Sequence, residues 1–133
     1  MKNILIALVF LASCSTPKNQ TDPAALLYGK NWTLTKLNGQ AIVPSSSMKT
    51  PFLVFGEKKV NGNAGCNSLS GSFNLGDPST IHFGPLMTTK MACPGLQTET
   101  DFLGVLAQVD HFSIAGNKLQ LLKGDEVVAE LEK

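Results

Sequence analysis

The sequence contains no arginine and only two histidines, and 16% of its 133 residues are charged. Without arginine, the chain has no planar guanidinium for two-pronged recognition of phosphate or carboxylate groups. Eleven lysines face ten acidic residues, and the densest basic cluster is the pair Lys58-Lys59. Nucleic-acid binding needs a basic face, so we expect no nucleic-acid partner.

The sequence also lacks an apolar run long enough to span a bilayer as a helix. The run at its start, Ile4 to Ala12, has nine residues, whereas a membrane-spanning helix needs about 20. Lys2 precedes this run and Leu-Ala-Ser-Cys, residues 11–14, follows it. This pattern is typical of a bacterial lipoprotein signal, in which small residues precede a cysteine that takes a diacylglycerol. An ordinary signal peptide with a chance cysteine is the alternative.

The domain organisation follows from this interpretation. Residues 1–13 are predicted to be the signal peptide, and residues 14–25, which are polar and contain two prolines, a flexible tether that begins at the lipidated Cys14. Residues 26–133 then form one domain. Ser15 after the cysteine favours the periplasmic face of the outer membrane over the inner membrane. The expected partners are the membrane itself and an envelope protein or lipid, and a monomer is expected.

Two cysteines remain for the domain, Cys66 and Cys93. An even number of cysteines in an exported chain indicates a disulfide. The pairing would stabilise the fold by roughly 3–4 kcal/mol, although sequence alone does not show whether the two side chains meet.

Short segments of alternating apolar and polar residues dominate the domain, and turn signals rich in glycine, asparagine and proline separate them. The segments predict strands at 31–37, 51–55, 60–64, 71–75, 80–83, 112–115, 118–122 and 127–131. The fold class is therefore mainly β (α+β). It is a small antiparallel curled sheet or partly open barrel of about seven to eight strands with one covering helix.

The predicted helix follows the first five strands. Its apolar face comprises Phe102, Leu103, Leu106 and Val109. Thr98 or Thr100 is predicted to cap its N-terminus, and Glu99 and Asp101 suit the positive end of the helix dipole. The helix is expected to end near Asp110, with Gly104 marking close packing against the sheet.

The segment NGNAGCNSLSGSFNL, residues 61–75, invites a chemical interpretation, but the surrounding sequence does not support one. A nucleophilic Cys66 would need His82 or His111 as its base. A zinc site from these residues and Cys93 would lack the usual local ligand pairs. No phosphate-binding glycine motif is present. We therefore expect no catalytic residue, no metal and no cofactor.

The same segment is better explained as a structural corner. Gly62, Gly65 and Gly71 would permit positive φ angles. Asn67 would hydrogen-bond the local backbone, and Cys66 would reach Cys93.

Several fragments resemble, in the same order, the META domain family, whose bacterial members include the heat-shock protein HslJ. They are Trp32-x-Leu34 with Leu37-Asn38-Gly39, Gly62-x-x-Gly65-Cys66-Asn67 with Gly71-Ser72-Phe73, Thr88-Thr89-Lys90-Met91-Ala92-Cys93 with Glu99, and Leu119-x-Leu121. The resemblance implies a β-rich domain with one helix and no established enzymatic activity. It also implies structural roles for Trp32, Gly62, Gly65, Asn67, Gly71, Thr89, Met91 and Glu99. Lys90 stands where the family frequently has arginine.

Three hypotheses for function follow. The leading one is a non-enzymatic, lipid-anchored envelope domain that acts as a binding or scaffold module in stress resistance or envelope maintenance. The second is a pilot-like carrier whose apolar groove holds a lipid tail or a peptide. Six phenylalanines, at 52, 55, 73, 83, 102 and 112, either line that groove or fill the core. The third is an inhibitor of an envelope hydrolase that presents the loop Ser45–Ser47.

The lipoprotein hypothesis predicts a modified Cys14 in the native protein. Intact-mass and peptide mass spectrometry should show a chain that begins at Cys14 and carries diacylglycerol on its sulfur. A native chain with an unmodified Cys14 would contradict the anchor.

Overall fold

The computed structural model describes residues 21–133. The predictions for the signal peptide and for Cys14 lie outside the described residues. A short helix that was not predicted, α1 (Pro23–Leu27), begins within the last residues of the predicted tether. Asp22 caps it by accepting a hydrogen bond from the Ala24 N–H at 3.0 Å, and Leu27 is fully buried. Three residues assigned to the tether, Pro23 to Ala25, therefore lie in a helix.

Nine strands follow α1, with one longer helix after the sixth. They are β1 (Asn31–Leu37), β2 (Gln40–Ala41), β3 (Phe52–Phe55), β4 (Lys59–Asn63), β5 (Ser68–Gly76), β6 (Thr80–Thr88), α2 (Gln97–Leu106), β7 (His111–Ala115), β8 (Lys118–Lys123) and β9 (Glu126–Glu132). All eight predicted strands are present. The short β2 was missed, and β5 and β6 are longer than predicted.

The strands form one antiparallel sheet in the order β2-β1-β3-β4-β5-β6-β7-β8-β9, and β9 pairs again with β1. Eight strands thus close into a ring, with β2 attached to β1 beside β3. The ring is not a true barrel because β6 and β7 pair only at Thr80 and His111. The predicted mainly β fold, a curled sheet with one covering helix, is confirmed.

The alternation seen in the sequence places one face of each strand inside the ring. Trp32 and Leu34 of β1 are buried, as are Leu53 and Phe55 of β3. The Trp32 indole N–H donates to the Leu27 carbonyl at 3.0 Å, so the polar atom of this fully buried side chain is satisfied. This bond also fastens α1 to the ring.

A charged cluster marks the seam where the first and last strands of the ring meet. Glu130 of β9 has a carboxylate oxygen 3.5 Å from the ammonium groups of both Lys36 in β1 and Lys118 in β8. Burial of Glu130 opposes its ionisation, but Lys118 and Lys36 outweigh that effect and lower its pKa. The Thr35 hydroxyl also donates to the Glu130 carbonyl at 3.1 Å. Opposite charges therefore match across three neighbouring strands.

Helix α2 differs in several details from the prediction. It ends at Leu106 rather than near Asp110, and neither Thr98 nor Thr100 caps it, since the N-cap position is Leu96 and makes no side-chain hydrogen bond. Its buried face includes Phe102, Val105 and Leu106, as helical spacing requires. Neither helix within residues 21–133 has the length and hydropathy needed to cross a membrane.

The glycine predictions were partly wrong. Gly65 has a positive φ of 124°, as expected, but Gly62 and Gly71 lie within strands β4 and β5 and are not among the positive-φ glycines. Glycine is needed at these two positions because the neighbouring atoms leave no room for a Cβ. A Cβ on Gly62 would overlap the Phe52 carbonyl, and one on Gly71 would lie 2.6 Å from the Leu86 side chain. The close packing proposed at Gly104 is also wrong, because a Cβ there meets no atom within 4 Å.

Because Gly104 lies in an open position of α2, Gly104→Ala should stabilise the protein by about 0.5–1 kcal/mol through its higher helix propensity. Urea denaturation measures the change in the free energy of unfolding. Gly71→Ala is the contrasting variant and should destabilise by roughly 1–3 kcal/mol through overpacking. Destabilisation by Gly104→Ala would show that α2 packs more tightly than described.

Candidate functional site

The densest polar cluster of the described domain surrounds the carboxylate of Glu99. Glu99 lies in the first turn of α2 and is only 7% exposed. Its Oε2 accepts hydrogen bonds from the backbone N–H groups of Asn67 at 2.7 Å and Cys66 at 3.2 Å. Its Oε1 accepts from the Asn67 side-chain amide at 2.7 Å. One carboxylate thereby joins the covering helix to the turn between β4 and β5.

Asn67 connects this turn to the segment that follows β6. Its Oδ1 accepts hydrogen bonds from the Met91 N–H at 2.7 Å and the Thr89 hydroxyl at 2.9 Å. The Thr89 hydroxyl in turn accepts from the Ser68 N–H at 3.1 Å. The prediction that Asn67 bonds its local backbone was therefore wrong, because its partners are more than 20 residues away in the sequence. A side chain with acceptor and donor ends can join two distant segments at once.

Asn63 has the local role that was assigned to Asn67. Its Oδ1 accepts from the Gly65 N–H at 2.8 Å, two residues ahead, which is the usual geometry of an asparagine turn. Sequence reasoning missed Asn63, although the asparagine two positions before a glycine was a usable signal.

Cys66 and Cys93 form the predicted disulfide, with their Cα atoms 6.1 Å apart. The bond joins the β4–β5 turn to the segment before α2. It is thus a second connection of this turn, beside the hydrogen bonds to Glu99. Because both sulfurs are bonded, neither cysteine offers a thiolate nucleophile. The carboxylate, the amide and the disulfide together tie three segments into a unit that we call the polar knot, comprising Asn63, Cys66, Asn67, Thr89, Met91, Cys93 and Glu99.

Two opposing effects act on the ionisation of Glu99. Burial favours the neutral acid, but hydrogen bonds from the Asn67 side chain, the Asn67 N–H and the Cys66 N–H favour the carboxylate more strongly. The pKa of Glu99 is therefore lowered from its ordinary value. Every ligand of this charge comes from the chain itself, so the polar knot is a structural device rather than a vacant site.

The two histidines lie away from the polar knot's sulfurs. His82 is exposed on β6, and the Nδ1 atom of His111 is 2.7 Å from Asp110 at the start of β7. The His111 hydrogen bond is the main cause of the lowered pKa of Asp110. Residues 21–133 contain no group of three or more histidine, cysteine, aspartate or glutamate side chains arranged to hold a metal ion.

An apolar groove lies between β6 and α2, where the ring is open. Its volume is about 400 Å³, and its lining consists of Phe83, Gly84, Pro85, Leu86, Thr88, Leu103 and Ala107. Most of this site was not predicted from the sequence, because the predicted strand ended at Phe83. The strand instead continues to Thr88 through a register shift opposite Gly71 and Phe73, and proline is tolerated at such a bulge.

The serine loop that was considered as an inhibitor loop is exposed. The Ser45 and Ser47 hydroxyls are 2.9 Å apart, and Val43 just before them is 81% exposed. No other feature of the loop indicates a hydrolase partner, and the inhibitor hypothesis stays a prediction.

The ring of strands, the covering helix and the buried carboxylate that joins them define a small β-domain closed by internal polar contacts. The chain belongs to the META domain family, whose model matches residues 25–133. The resemblance found in the sequence is thereby confirmed. A search of curated proteins gave no match.

Solved structures with this fold include a protein from Burkholderia xenovorans determined by NMR. It is 27% identical, with a TM-score of 0.64, and the match covers 95% of this chain and 97% of that one. A second NMR structure is 21% identical with a TM-score of 0.64, covering 81% and 92%. A crystal structure of a duf4847 family protein from Bacteroides vulgatus is 13% identical with a TM-score of 0.58, covering 81% and 94%. The last two show the fold alone.

The variant Glu99→Gln tests the polar knot. A glutamine oxygen could still accept from the two backbone N–H groups, but its NH2 group would face the Asn67 amide donor, and Asn67 cannot turn round without losing Thr89 and Met91. We expect a loss of about 2–3 kcal/mol in the free energy of unfolding, measured by urea denaturation. Asp101→Asn, an exposed change on the same helix, should alter stability by less than about 0.5 kcal/mol.

A comparison of wild type with Glu99→Gln over a range of pH tests the ionisation of Glu99. A carboxylate whose pKa is lower in the folded than in the unfolded chain stabilises the fold above the unfolded value, about 4.3. That contribution is lost as the pH falls through the folded pKa. The stability difference between wild type and Glu99→Gln should therefore shrink from about pH 6 to about pH 3. A difference that is constant over this range would contradict a buried, ionised Glu99.

Proposed function

We propose that this protein is a lipid-anchored, non-enzymatic binding module of the bacterial cell envelope that holds an apolar ligand in the groove between β6 and α2. The anchor follows from the lipoprotein signal that ends at Cys14. A role in stress resistance or envelope maintenance follows from the resemblance to the bacterial META proteins. The groove is the observation that carries the proposal.

Two properties of the groove support ligand binding. Its volume of about 400 Å³ falls within the range of about 300–1,000 Å³ that is typical of small-molecule sites. Five of its seven lining residues are apolar or aromatic, and one of the other two is glycine. This lining suits an apolar ligand.

The phenylalanines are divided between the core and the wall of the groove. Four of them, at 55, 73, 102 and 112, are buried in the core. Phe83 is only partly buried and forms one wall of the groove. The carrier hypothesis thus needs one phenylalanine, and the core uses most of the others.

The chemistry of the groove favours binding over catalysis. Among the described residues that line it, none has an ionisable side chain, and the only hydroxyl belongs to Thr88. The strongest polar groups of the domain are directed at one another in the polar knot. A site with this lining can hold and release a ligand, but it offers no general base or nucleophile.

Binding of two probes tests the proposal, using the mature chain, residues 14–133, with Cys14→Ser to remove the anchor. The probes are a dansyl-labelled undecanoic acid and a library of octapeptides with apolar residues at alternate positions. We expect saturable binding of at least one. Ala107→Trp, which fills the groove from the exposed C-cap residue of α2, should weaken it at least tenfold.

Thr100→Trp provides the matched control, because it adds the same side chain at an exposed position of α2 that does not line the groove. This variant should bind as the wild type does. If neither probe binds saturably, or if both tryptophan variants bind equally, the groove is not a ligand site.

A further inference from the structure

Among the described residues, one edge of β6 has no strand partner over most of its length. On one side β5 pairs with it from Leu69–Thr88 to Gly76–Thr80. On the other side β7 pairs only at Thr80, supported by a hydrogen bond from the Ile81 N–H to the Asp110 carbonyl at 3.0 Å. Within residues 21–133, no strand continues along that edge from Phe83 to Thr88.

The ladder with β5 shows which backbone groups face this edge. The Thr89 N–H donates to the Ser68 carbonyl at 3.1 Å, so Thr89 directs its peptide groups towards β5. In an antiparallel ladder this direction alternates from residue to residue. The pairs Leu69–Thr88, Ser70–Met87 and Gly71–Leu86 continue without a register shift. Thr88 and Leu86 therefore direct their N–H and C=O groups away from β5, towards the open edge.

The same two residues line the apolar groove. Their backbone groups can pair with a strand, and the groove can receive the alternate side chains of that strand, since successive side chains point to opposite faces. Unpaired strand edges are templates for strand addition, and many peptide-binding domains use a sheet edge beside a pocket in this way.

We infer that the groove takes an extended apolar peptide segment of a partner protein, which adds to the β6 edge at Leu86 and Thr88 as a further antiparallel or parallel strand. This inference rests on the proposed function and names its ligand class. A lipid tail could fill the apolar volume, but it has no groups to satisfy the two N–H donors and two C=O acceptors of the edge. A peptide can fill the apolar volume with its side chains and pair its backbone with the N–H and C=O groups of the β6 edge.

Pro85 limits the length of the pairing. It has no N–H and lies at the register shift between β5 and β6, so regular pairing is confined to Leu86–Thr88. At about 3.3 Å per residue this ladder is about 10 Å long. Such a short ladder supplies few hydrogen bonds, and the side chains in the groove must add the rest of the affinity. The edge therefore suits a specific short segment and resists open-ended aggregation.

The test uses the mature chain with Cys14→Ser and the tightest-binding acetylated and amidated octapeptide from the alternating apolar library. Amide hydrogen exchange by NMR should show at least tenfold slower exchange at Leu86 and Thr88 when the peptide is bound. The Met87 amide, already paired with Ser70, is the internal control and should change little. The same peptide N-methylated at alternate residues keeps its side chains but loses the pairing N–H groups, and it should bind at least tenfold more weakly.

Several outcomes would overturn the inference. If the dansyl fatty acid binds in the groove and no peptide does, the ligand is a lipid tail and the proposed function stands without the strand addition. If peptides bind with unchanged Leu86 and Thr88 exchange, or equally well after N-methylation, the edge does not pair. If both amides are protected without peptide and sedimentation shows a doubled mass, the edge pairs with a second copy. If neither probe binds, the proposed function falls too.

Discussion

The buried carboxylate of Glu99 is the interaction on which the arrangement of this domain depends. A helix placed over a ring of strands has few backbone bonds to hold it there, since its own N–H and C=O groups are used internally. The three N–H donors from Cys66 and Asn67 fix the first turn of α2 to the β4–β5 turn. Asn67 then extends the connection to Met91. The position of α2, and with it one wall of the groove, follows from these contacts.

Local patterns in the sequence predicted those features of the fold that depend on residues close together in the sequence or on residue type alone. Alternating residues located all eight longer strands, and the two cysteines left in a domain that was expected to be exported indicated the disulfide. The family resemblance named Asn67, Thr89, Met91 and Glu99 as structural residues, and the structure brings these four together. What they do was not predictable, because a buried carboxylate and a surface acid in the first turn of a helix have the same sequence signature.

The groove was missed for a related reason. Gly84-Pro85 signals a strand break when it is considered alone, yet it lies at a bulge where the ladder tolerates a residue without an N–H. Whether a proline ends a strand or sits on its free edge depends on the neighbour across the sheet, and that neighbour is set by the whole ring. The opening between β6 and β7, which creates both the groove and the free edge, is likewise a property of the ring.

The pairing of β1 with β9 has a consequence for how the domain is formed. A chain made from its N-terminus presents β1 first, yet the ladder that closes the ring on β1 needs the last residues of the chain, up to Glu132. Contacts between segments this far apart in the sequence raise the contact order, and a high contact order slows folding to the millisecond-to-second range in small β-proteins. Until β9 has been made, the edge of β1 that pairs with Ala129 to Glu132 therefore stays unpaired. Transiently exposed strand edges of this kind make an incompletely folded chain prone to aggregation.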